Sequence, residues 1–393
     1  MSHGRLVAEP CNIDEVLPMD GNRLMIRGWA LPDNVSSDYQ FGTRFTANGN
    51  PPLSVDYPIP RPDVQKVFWQ RPNAEMCGFT VIVPCEYPNG MLEFRCADSQ
   101  TTTLARGREF IFIPDPSLHE VLPDEDRRFR VIANRDPNGF LMSGATDALR
   151  IKAAYENAIG KGWSKVGAVL DWGCGCGRVA RHLAPLLGNK FYGCDIDADN
   201  VHWCAANLPG EYKVSTLDSS LPYEDESFDI IYGISVFTHL RKKWEMIWLK
   251  ELRRVLKPGG SILMTVHGQT AIDFAALEPI LYKELTDRVD NEGLAFTSNN
   301  SQLDGFVDCP SEYVNVFHSQ KHIQDVWGQF FVNIKQLPGY IFTHDLVIAT
   351  KENVVQTAFN NVRQRVGTAV FLATSNFYRA CKRVLRAILP RTK

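Results

Sequence analysis

No stretch of the 393-residue sequence holds the ~20 consecutive apolar residues that a membrane-spanning helix needs. The opening segment Met1 to Val16 also lacks the apolar run of a secretory signal peptide. We therefore expect the protein to stay in the cytoplasm and its ten cysteines to be reduced thiols. No metal site is expected, because the pairs Cys174/Cys176 and Cys194/Cys204 lack the usual spacing of zinc ligands. The apolar fraction of 44% and the charged fraction of 22% argue against disordered, collagen-like and coiled-coil classes.

Acidic residues are absent from Asn353 to Lys393, where eight basic residues give a charge of +8. Since the whole chain carries −3, the remainder carries −11. A helical period predicts that this tail is a basic amphipathic helix with these residues on its apolar face: Val355, Phe359, Val362, Val366, Val370, Ala373, Phe377, Cys381, Val384 and Ile388. Such a helix could bind an anionic membrane surface at the inner membrane face, a glycosyltransferase or other protein partner, or the acidic body itself. The remaining alternative is a flexible tail. Nucleic acid is not expected as a partner, because the body is acidic and the tail has few aromatic residues for stacking.

A helical period is absent from residues 1–118, which hold 13 of the 23 prolines. Short alternating or β-branched runs are separated there by turn clusters, for example at residues 88–90. This pattern is typical of an antiparallel β-sandwich, so we predict a β-sandwich accessory domain over residues 1–118. The predicted strands are Arg23 to Leu31, Gln40 to Thr46, Phe79 to Val83, Met91 to Ala97 and Glu109 to Ile113.

Strand-like and helix-like segments alternate through residues 119–352. The strand segments are Ala168 to Leu170, Phe191 to Cys194, Phe228 to Tyr232 and Ser261 to Val266, and the helix segments are Ala145 to Ile159, Val179 to Leu187, Asp197 to Asn207 and Lys242 to Leu256. The alternation predicts an α/β fold with a doubly wound parallel sheet covered by helices. The last strands, Phe330 to Ile334 and Asp345 to Thr350, are joined around Pro338-Gly339, which predicts an antiparallel pair at the sheet edge.

The segment Val169 to Arg178 is predicted to be a buried strand that continues into a glycine-rich turn and a helix. Glycines there let a ligand approach the backbone, which suits a dinucleotide, an adenosyl group or no ligand at all. Asp195 closes the next strand, where a carboxylate can accept both hydroxyls of a ribose. Asp171 precedes the first glycine, where it would repel a pyrophosphate but attract a ligand with sulfonium and ammonium groups.

Three segments in this order resemble motifs of the class I S-adenosylmethionine-dependent methyltransferases: Asp171 to Gly177, Leu221 to Asp229 and Glu251 to Gly260. The resemblance covers residues ~140–350 and implies a Rossmann-like sheet of seven strands, with S-adenosylmethionine as the cofactor. It implies that Asp195 holds the ribose, that Asp218 lies near the adenine amino group, and that the helix Ala145 to Ile159, with Phe140 and Gly144, forms a lid over the cofactor. The cofactor-binding residues that the resemblance implies are Phe140, Asp171, Gly173, Cys174, Gly175, Asp195, Ile196, Asp218 and Ser235.

Two histidines are candidates for a catalytic base. Methyl transfer is an in-line displacement in which positioning does most of the work, but a hydroxyl acceptor also benefits from losing its proton to a base. His239 follows the fourth strand and His267 ends the fifth, so both are predicted at the carboxyl edge of the sheet. Either histidine can instead cap a helix or hold a loop. The insert Gln269 to Tyr313 follows the fifth strand and is expected to shape the acceptor pocket.

The N-terminal segments Leu24 to Leu31, Arg61 to Val64 and Cys77 to Phe79 resemble a β-sandwich module found beside bacterial glycosyltransferases and polysaccharide-modifying enzymes. This resemblance implies a glycan acceptor. We therefore expect an S-adenosylmethionine-dependent methyltransferase that O-methylates a sugar hydroxyl of a surface polysaccharide or its lipid-linked precursor. The alternatives are a methyltransferase for a small molecule or for a nitrogen or carboxyl acceptor, and a non-catalytic cofactor-binding scaffold in a glycosyltransferase complex.

Overall fold

The computed structural model of the chain describes residues 11–31, 43–69, 71, 74–84, 91–98, 108–112, 121–133, 135–216, 220–275, 279–299 and 314–353. The chain divides into two compact units, residues 1–351 and residues 352–393. Only Glu352 and Asn353 of the second unit are described, so the predicted amphipathic helix of the tail lies outside the described residues. Among the helices of the described ranges, none combines the length and the apolar character that crossing a membrane requires.

The described strands of the N-terminal region are β1 (Cys11–Met19), β2 (Arg23–Ala30), β3 (Thr43–Ala47), β4 (Ser54–Pro60), β5 (Met76–Pro84), β6 (Met91–Asp98) and β7 (Arg108–Phe112). They form two antiparallel sheets with the strand orders β1-β2-β5-β4 and β3-β6-β7. Alternate residues such as Leu24, Val81 and Phe94 contribute to one hydrophobic core that both sheets share. The domain boundary at residue 118 and the resemblance to a known module stay predictions.

A helix also lies in this region, where none was predicted. Helix α1 (Pro62–Val67) begins with a proline, whose missing N–H is not needed in the first turn, and Asp63 adds favourable negative charge there. Val64 is buried in a second cluster with Trp29 and Phe68. Six residues are too few to display a helical period, which is why the sequence pattern missed this helix.

The central sheet has the strand order β10-β9-β8-β11-β12-β16-β15. Its strands are β8 (Val169–Trp172), β9 (Phe191–Asp195), β10 (Glu211–Val214), β11 (Phe228–Gly233), β12 (Leu256–Val266), β15 (Val332–Ile341) and β16 (His344–Thr350). The connecting helices are α2 (Glu125–Ile132), α3 (Pro137–Ile159), α4 (Ala180–Leu187), α5 (Ala198–Asn207) and α6 (Lys242–Val255). Strands β8 to β12 are parallel, and β16 is antiparallel to both its neighbours. The predicted Rossmann-like sheet of seven strands is confirmed, and two hydrophobic clusters cover its faces.

The predicted turn around Pro338-Gly339 is wrong, because both residues lie inside β15. The hairpin turns instead at Phe342-Thr343, where Phe342 has a φ of 54°. The strand accommodates the proline because its pairing with β16 is irregular between Leu337 and Ile341. Within this irregular stretch the Gly339 N–H donates to the buried carboxylate of Asp345, at 2.9 Å between N and Oδ1.

The insert after β12 folds into α7 (Gln269–Ala275), α8 (Pro279–Glu292), β13 (Leu294–Asn299), β14 (Val314–His318) and α9 (Gln320–His322), which continues as a π-helical turn, Ile323–Trp327. Strands β13 and β14 pair antiparallel. Phe317 forms a β-bridge with His267, and the backbone N–H of His318 donates to the His267 carbonyl at 2.8 Å. The insert therefore returns to the carboxyl end of β12, which is where the acceptor pocket was predicted.

Candidate active site

A glycine-rich loop follows β8 at the point where the strand order of the central sheet reverses. Ligands of doubly wound sheets bind at this switch point, beyond the carboxyl ends of the strands. Gly173 and Gly175 have φ angles of 79° and 50°. A Cβ atom on Gly173 would lie 2.4 Å from Cγ2 of Val236, so the backbone angle and the packing both require glycine there. We call Gly173 to Gly177 the glycine loop.

Asp195 ties the glycine loop to the end of β9. Its Oδ2 accepts the backbone N–H of Gly175 at 2.7 Å, and its Oδ1 accepts that of Asp197 at 2.9 Å. Burial raises the pKa of the Asp195 carboxyl, although these backbone N–H groups oppose the rise. A carboxylate has about four acceptor positions, so two remain for the hydroxyls of a ligand. The next residue, Ile196, is half-buried beside this carboxylate.

Asp171 lies near the end of β8 and is 4% exposed. Burial raises the pKa of its carboxyl to about 7. The nearby charge of Asp195 adds to this rise, whereas Tyr232 and Arg178 oppose it. The Arg178 guanidinium instead pairs with Asp147, at 2.7 Å between Nη1 and Oδ2. Because Asp171 forms no ion pair with a described residue, a cationic ligand group suits this position.

The thiols around the glycine loop are buried and form no disulfides. Six cysteines of the described ranges share this state: Cys77, Cys96, Cys174, Cys176, Cys194 and Cys204. A hydrogen bond with Cys204, together with burial, raises the pKa of the Cys174 thiol well above its ordinary value. Burial likewise raises the pKa of Cys176 to about 12. The expectation of reduced thiols stays a prediction, and protonated thiols at these positions are poor metal ligands.

Ser235 and His239 follow β11 at the same edge of the sheet. Ser235 has a φ of 61°, a left-handed conformation that costs a serine about 1 kcal/mol or more, and its backbone N–H donates to Thr265 Oγ1 at 2.7 Å. The Nδ1 atom of His239 lies 3.2 Å from the Val314 carbonyl, and a carbonyl only accepts, so Nδ1 carries the proton. Nε2 is then an acceptor, 3.4 Å from the Ser235 hydroxyl. Burial lowers the pKa of His239 to about 4, so the ring is neutral at neutral pH.

His267 lies beside His239 and beside a third histidine. The His267 ring centroid is 6.1 Å from that of His239 and 4.7 Å from that of His344. Burial, together with the neighbouring histidines, lowers the pKa of His267 well below its ordinary value. Sequence reasoning missed His344, although β16 had been predicted to be antiparallel. Its first residues therefore had to lie at the carboxyl end of β12.

Helix α2 covers the glycine loop. A Cβ atom on Gly175 would lie 2.9 Å from Cγ2 of Val131, which shows how closely this helix approaches. Arg127 pairs with Asp199 at 2.7 Å, and the Arg130 Nε atom lies 3.3 Å from Asp197 Oδ2, so α2 is attached to the acidic first turn of α5. The sequence prediction had assigned a covering role to the segment around Phe140 instead.

Phe140 and Asp218 complete the predicted cofactor residues. Phe140 is fully buried in α3, and the guanidinium carbon of Arg181 lies 5.6 Å from its ring centroid. Asp218 lies outside the described residues. The other predicted residues come together at the carboxyl edge of the sheet. We call Asp171, the glycine loop, Asp195, Ser235 and His239 the carboxyl-edge site.

Comparison with known proteins finds a family match over part of the chain. Residues 170–264, which run from β8 through most of β12, match the methyltransferase domain family. The chain carries an S-adenosylmethionine-dependent methyltransferase domain. The cofactor of the methyltransferase domain is S-adenosylmethionine.

Curated relatives match parts of the methyltransferase domain. "Probable phthiotriol/phenolphthiotriol dimycocerosates methyltransferase 2" of Mycobacterium ulcerans is 30% identical over 132 residues, which are 31% of this chain and 50% of the relative. "Fatty-acid O-methyltransferase" of Mycolicibacterium smegmatis is 34% identical over 100 residues, which are 25% of this chain and 36% of the relative. The chain therefore spans half or less of the length of these relatives.

Among solved structures, a methyltransferase from Methanosarcina mazei aligns with 48% of this chain and 93% of its own length, with 20% identity and a TM-score of 0.35. A score this low adds no argument of its own. The fold of the methyltransferase domain is assigned from the strand order and strand directions of the central sheet.

Proposed function

We propose that the chain transfers the methyl group of S-adenosylmethionine to a sugar hydroxyl of a surface polysaccharide or its lipid-linked precursor. The observation that carries the proposal is the neutral His239 ring, whose Nε2 atom accepts beside Ser235 at the carboxyl edge. Bound S-adenosylmethionine would supply the methyl group to the acceptor oxygen and leave as the thioether, and Nε2 of His239 would accept the proton of the acceptor hydroxyl. His267 is the second candidate for this base.

The cofactor residues follow from charge and hydrogen bonding in the carboxyl-edge site. S-adenosylmethionine supplies an activated methyl group together with cationic sulfonium and ammonium groups. Asp171 would lie along the methionine part, because it is a buried carboxylate without an ion partner among the described residues. Asp195 would accept the ribose hydroxyls with its remaining acceptor positions, beside Ile196 and the backbone of the glycine loop.

An aromatic and polar surface beside the site supports a sugar acceptor. Trp69 follows α1, is 37% exposed, and its ring centroid lies 5.6 Å from that of Tyr282 in an edge-to-face arrangement. The amide nitrogen of Gln269 lies 3.1 Å from Asp273 Oδ1 and 3.2 Å from the Tyr282 hydroxyl. The exposed Trp69 ring beside the half-buried side chains of Tyr282 and Gln269 suits the apolar faces and hydroxyls of a sugar. Gln269 lies two residues after His267 in the chain.

A lipid or small-molecule hydroxyl is the second candidate acceptor, because one relative is named a fatty-acid O-methyltransferase. The experiment is incubation of the full-length chain with methyl-labelled S-adenosylmethionine and matched panels of oligosaccharides, lipid-linked sugars and fatty acids. Label on a sugar oxygen supports the proposal, and label on a fatty acid supports the second candidate. Cofactor binding without methyl transfer to any of these acceptors would favour a non-catalytic cofactor-binding scaffold in a glycosyltransferase complex.

We also propose that residues 353–393 bring the enzyme to an anionic membrane surface. The support is the sequence pattern alone, which combines a charge of +8 with apolar residues at helical spacing. Truncation after Glu352 is expected to abolish sedimentation with anionic liposomes and to leave cofactor binding unchanged. Neutral liposomes are the control. Full-length protein that stays in the supernatant with anionic liposomes at low salt contradicts this proposal.

A further inference from the structure

A buried cluster of one carboxylate and two imidazoles lies behind the carboxyl edge, and the methyl-transfer proposal gives it no role. Glu245 belongs to the first turn of α6, His318 ends β14, and His322 belongs to α9. The side chains of Glu245 and His318 are 0% exposed, and that of His322 is 5% exposed. We call these three residues the buried triad.

The donor atoms of the buried triad converge on one point. His322 Nε2 lies 2.9 Å from Glu245 Oε2, and His318 Nε2 lies 3.5 Å from Glu245 Oε1. All three donor atoms lie within 4.8 Å of one another. Ligand bonds of ~2.0–2.2 Å to a tetrahedral zinc ion separate donor atoms by roughly 3.3 Å, so small rotamer changes suffice to close the set around an ion.

The ring nitrogens of His318 are buried without hydrogen-bond partners. Neither of its ring nitrogens makes a hydrogen bond, and Nε2 has only the long 3.5 Å contact with Glu245 Oε1, although the ring is completely buried. A buried polar atom without a partner is destabilising, so a fully buried imidazole with two such atoms calls for an explanation. A metal ion bound to Nε2 would satisfy one of them.

The surroundings of Glu245 suit a metal ligand. The ion partners of Glu245 within the described ranges are the two histidines, so no lysine or arginine there neutralises it. Both carboxylate oxygens of Glu245 face the histidines, Oε1 towards His318 and Oε2 towards His322. Its Oε1 also accepts the indole N–H of Trp327 at 2.8 Å, the kind of outer contact that orients a ligating carboxylate. A π-helical turn, which is frequent at functional sites, places Trp327 there.

We propose that Glu245, His318 and His322 bind a divalent transition metal of the zinc class, with a water molecule as the fourth ligand. Two imidazoles and one carboxylate are a preferred donor set for such ions. The ion would connect α6 to both β14 and α9, in addition to the direct contacts of Glu245 with His322 and Trp327. The backbone N–H of His318 bonds to the His267 carbonyl, so the metal would hold the insert against the carboxyl edge.

The test measures metal in the full-length chain expressed in zinc-supplemented medium. About one zinc per chain is expected by mass spectrometry in the wild type and in His202→Ala, which removes an exposed histidine of α5. His318→Ala and Glu245→Gln are expected to lose it. Wild-type protein refolded with Co²⁺ should show a visible absorption band that one equivalent of Zn²⁺ removes, and this readout needs no variant that folds.

Two results overturn the proposal. One is zinc at the same level in the wild type, His318→Ala and Glu245→Gln, which would place the ion elsewhere. The other is wild-type protein that carries no zinc and gives no Co²⁺ band, which would leave the buried triad as a hydrogen-bonded Glu–His network. Melting temperature with and without a chelator gives a third readout, since a bound metal stabilises the folded state and its removal should lower Tm.

Discussion

Burial brings the pKa of the Asp171 carboxyl close to neutral pH. Its pKa of about 7 means that near neutral pH about half the unliganded molecules carry a proton there. A cationic ligand group needs the ionised form, so ligand binding must displace that proton. If Asp171 binds the cofactor as proposed, the protonation of this one side chain would set the affinity for the cofactor.

This control predicts a pH dependence of cofactor binding. As the pH falls from 8 to 6, more Asp171 is protonated before binding, and the affinity for S-adenosylmethionine should fall by roughly tenfold. Calorimetric titration at several pH values measures this affinity. Asp171→Asn should bind more weakly and lose this pH dependence. An unchanged slope in that variant would assign the proton to another group.

His239 is neutral across the same pH range, because burial lowers its pKa to about 4. Methyl transfer with saturating cofactor should therefore show no loss of kcat between pH 8 and pH 6 from this residue. His239→Ala should lower kcat by roughly a hundredfold with little change in cofactor affinity, since a positioned base contributes 10²–10⁴-fold. His202→Ala is the matched control. Equal losses of kcat and cofactor affinity would mean that His239 is a positioning residue for the Ser235 turn.

At the scale of elements, helix α2 depends on polar contacts for its attachment, because none of its residues is fully buried. Arg130 bonds to Asp197 and Asp199 at the start of α5, and its side chain is only 14% exposed. Partly buried charged contacts of this kind contribute about 1.5 kcal/mol. Helix α2 is thus held over the glycine loop by a few side chains that can be removed by mutation.

Arg130→Ala should loosen this cover. Hydrogen exchange in the peptide of residues 121–133 should become roughly tenfold faster, and the affinity for S-adenosylmethionine should fall by less than that factor. Arg135→Ala is the control, since Arg135 follows this segment and pairs with Asp126 of α2 rather than with α5. Exchange rates that match those of this control would show that α2 is held by other contacts.

The elements of the central sheet were predictable because their signals are local. The glycine loop and the acids at residues 171 and 195 lie within one β-α-β stretch, so contiguous sequence indicates their positions. The Phe342-Thr343 turn was missed because Pro338-Gly339 is the stronger local turn signal, and only the buried Asp345 explains why the strand continues past it.

Contacts between distant segments were not predictable. Val131 meets Gly175, and Glu245 meets His322 across 77 residues, through packing that no short window of sequence contains. His344 joins the other histidines only because β16 runs opposite to β12. These contacts depend on the assembled fold, so they appear only in the structure.

At the scale of the whole molecule, the N-terminal region packs against the insert of the methyltransferase domain. The ring centroids of Phe68 and Phe274 are 4.8 Å apart, and those of Trp29 and Phe274 are 6.2 Å apart. Trp29 and Phe68 come from the N-terminal region, whereas Phe274 belongs to α7. The two regions therefore share the surface that carries Trp69 and Tyr282.

If this shared surface binds the sugar acceptor, Trp69→Ala should raise KM for the glycan by roughly tenfold, since an aromatic contact contributes about 1 kcal/mol or more. Steady-state kinetics with the accepted glycan measures the change. The KM for S-adenosylmethionine should stay constant, and Leu53→Ala, which truncates another exposed apolar side chain of the N-terminal region, should change neither value. An unaltered glycan KM would remove Trp69 from the acceptor site.

Calorimetric titration of S-adenosylmethionine into the full-length chain decides whether the carboxyl-edge site holds the cofactor. The wild type should bind one equivalent, and Asp171→Ala and Asp195→Ala should each lose at least tenfold in affinity, because a charge-assisted contact contributes about 1.5–3 kcal/mol. Asp225→Ala, which removes an exposed acid paired with Arg254, should bind like the wild type. Wild-type affinity in both Asp171→Ala and Asp195→Ala, with melting temperatures that show folded protein, would contradict the assignment of the site.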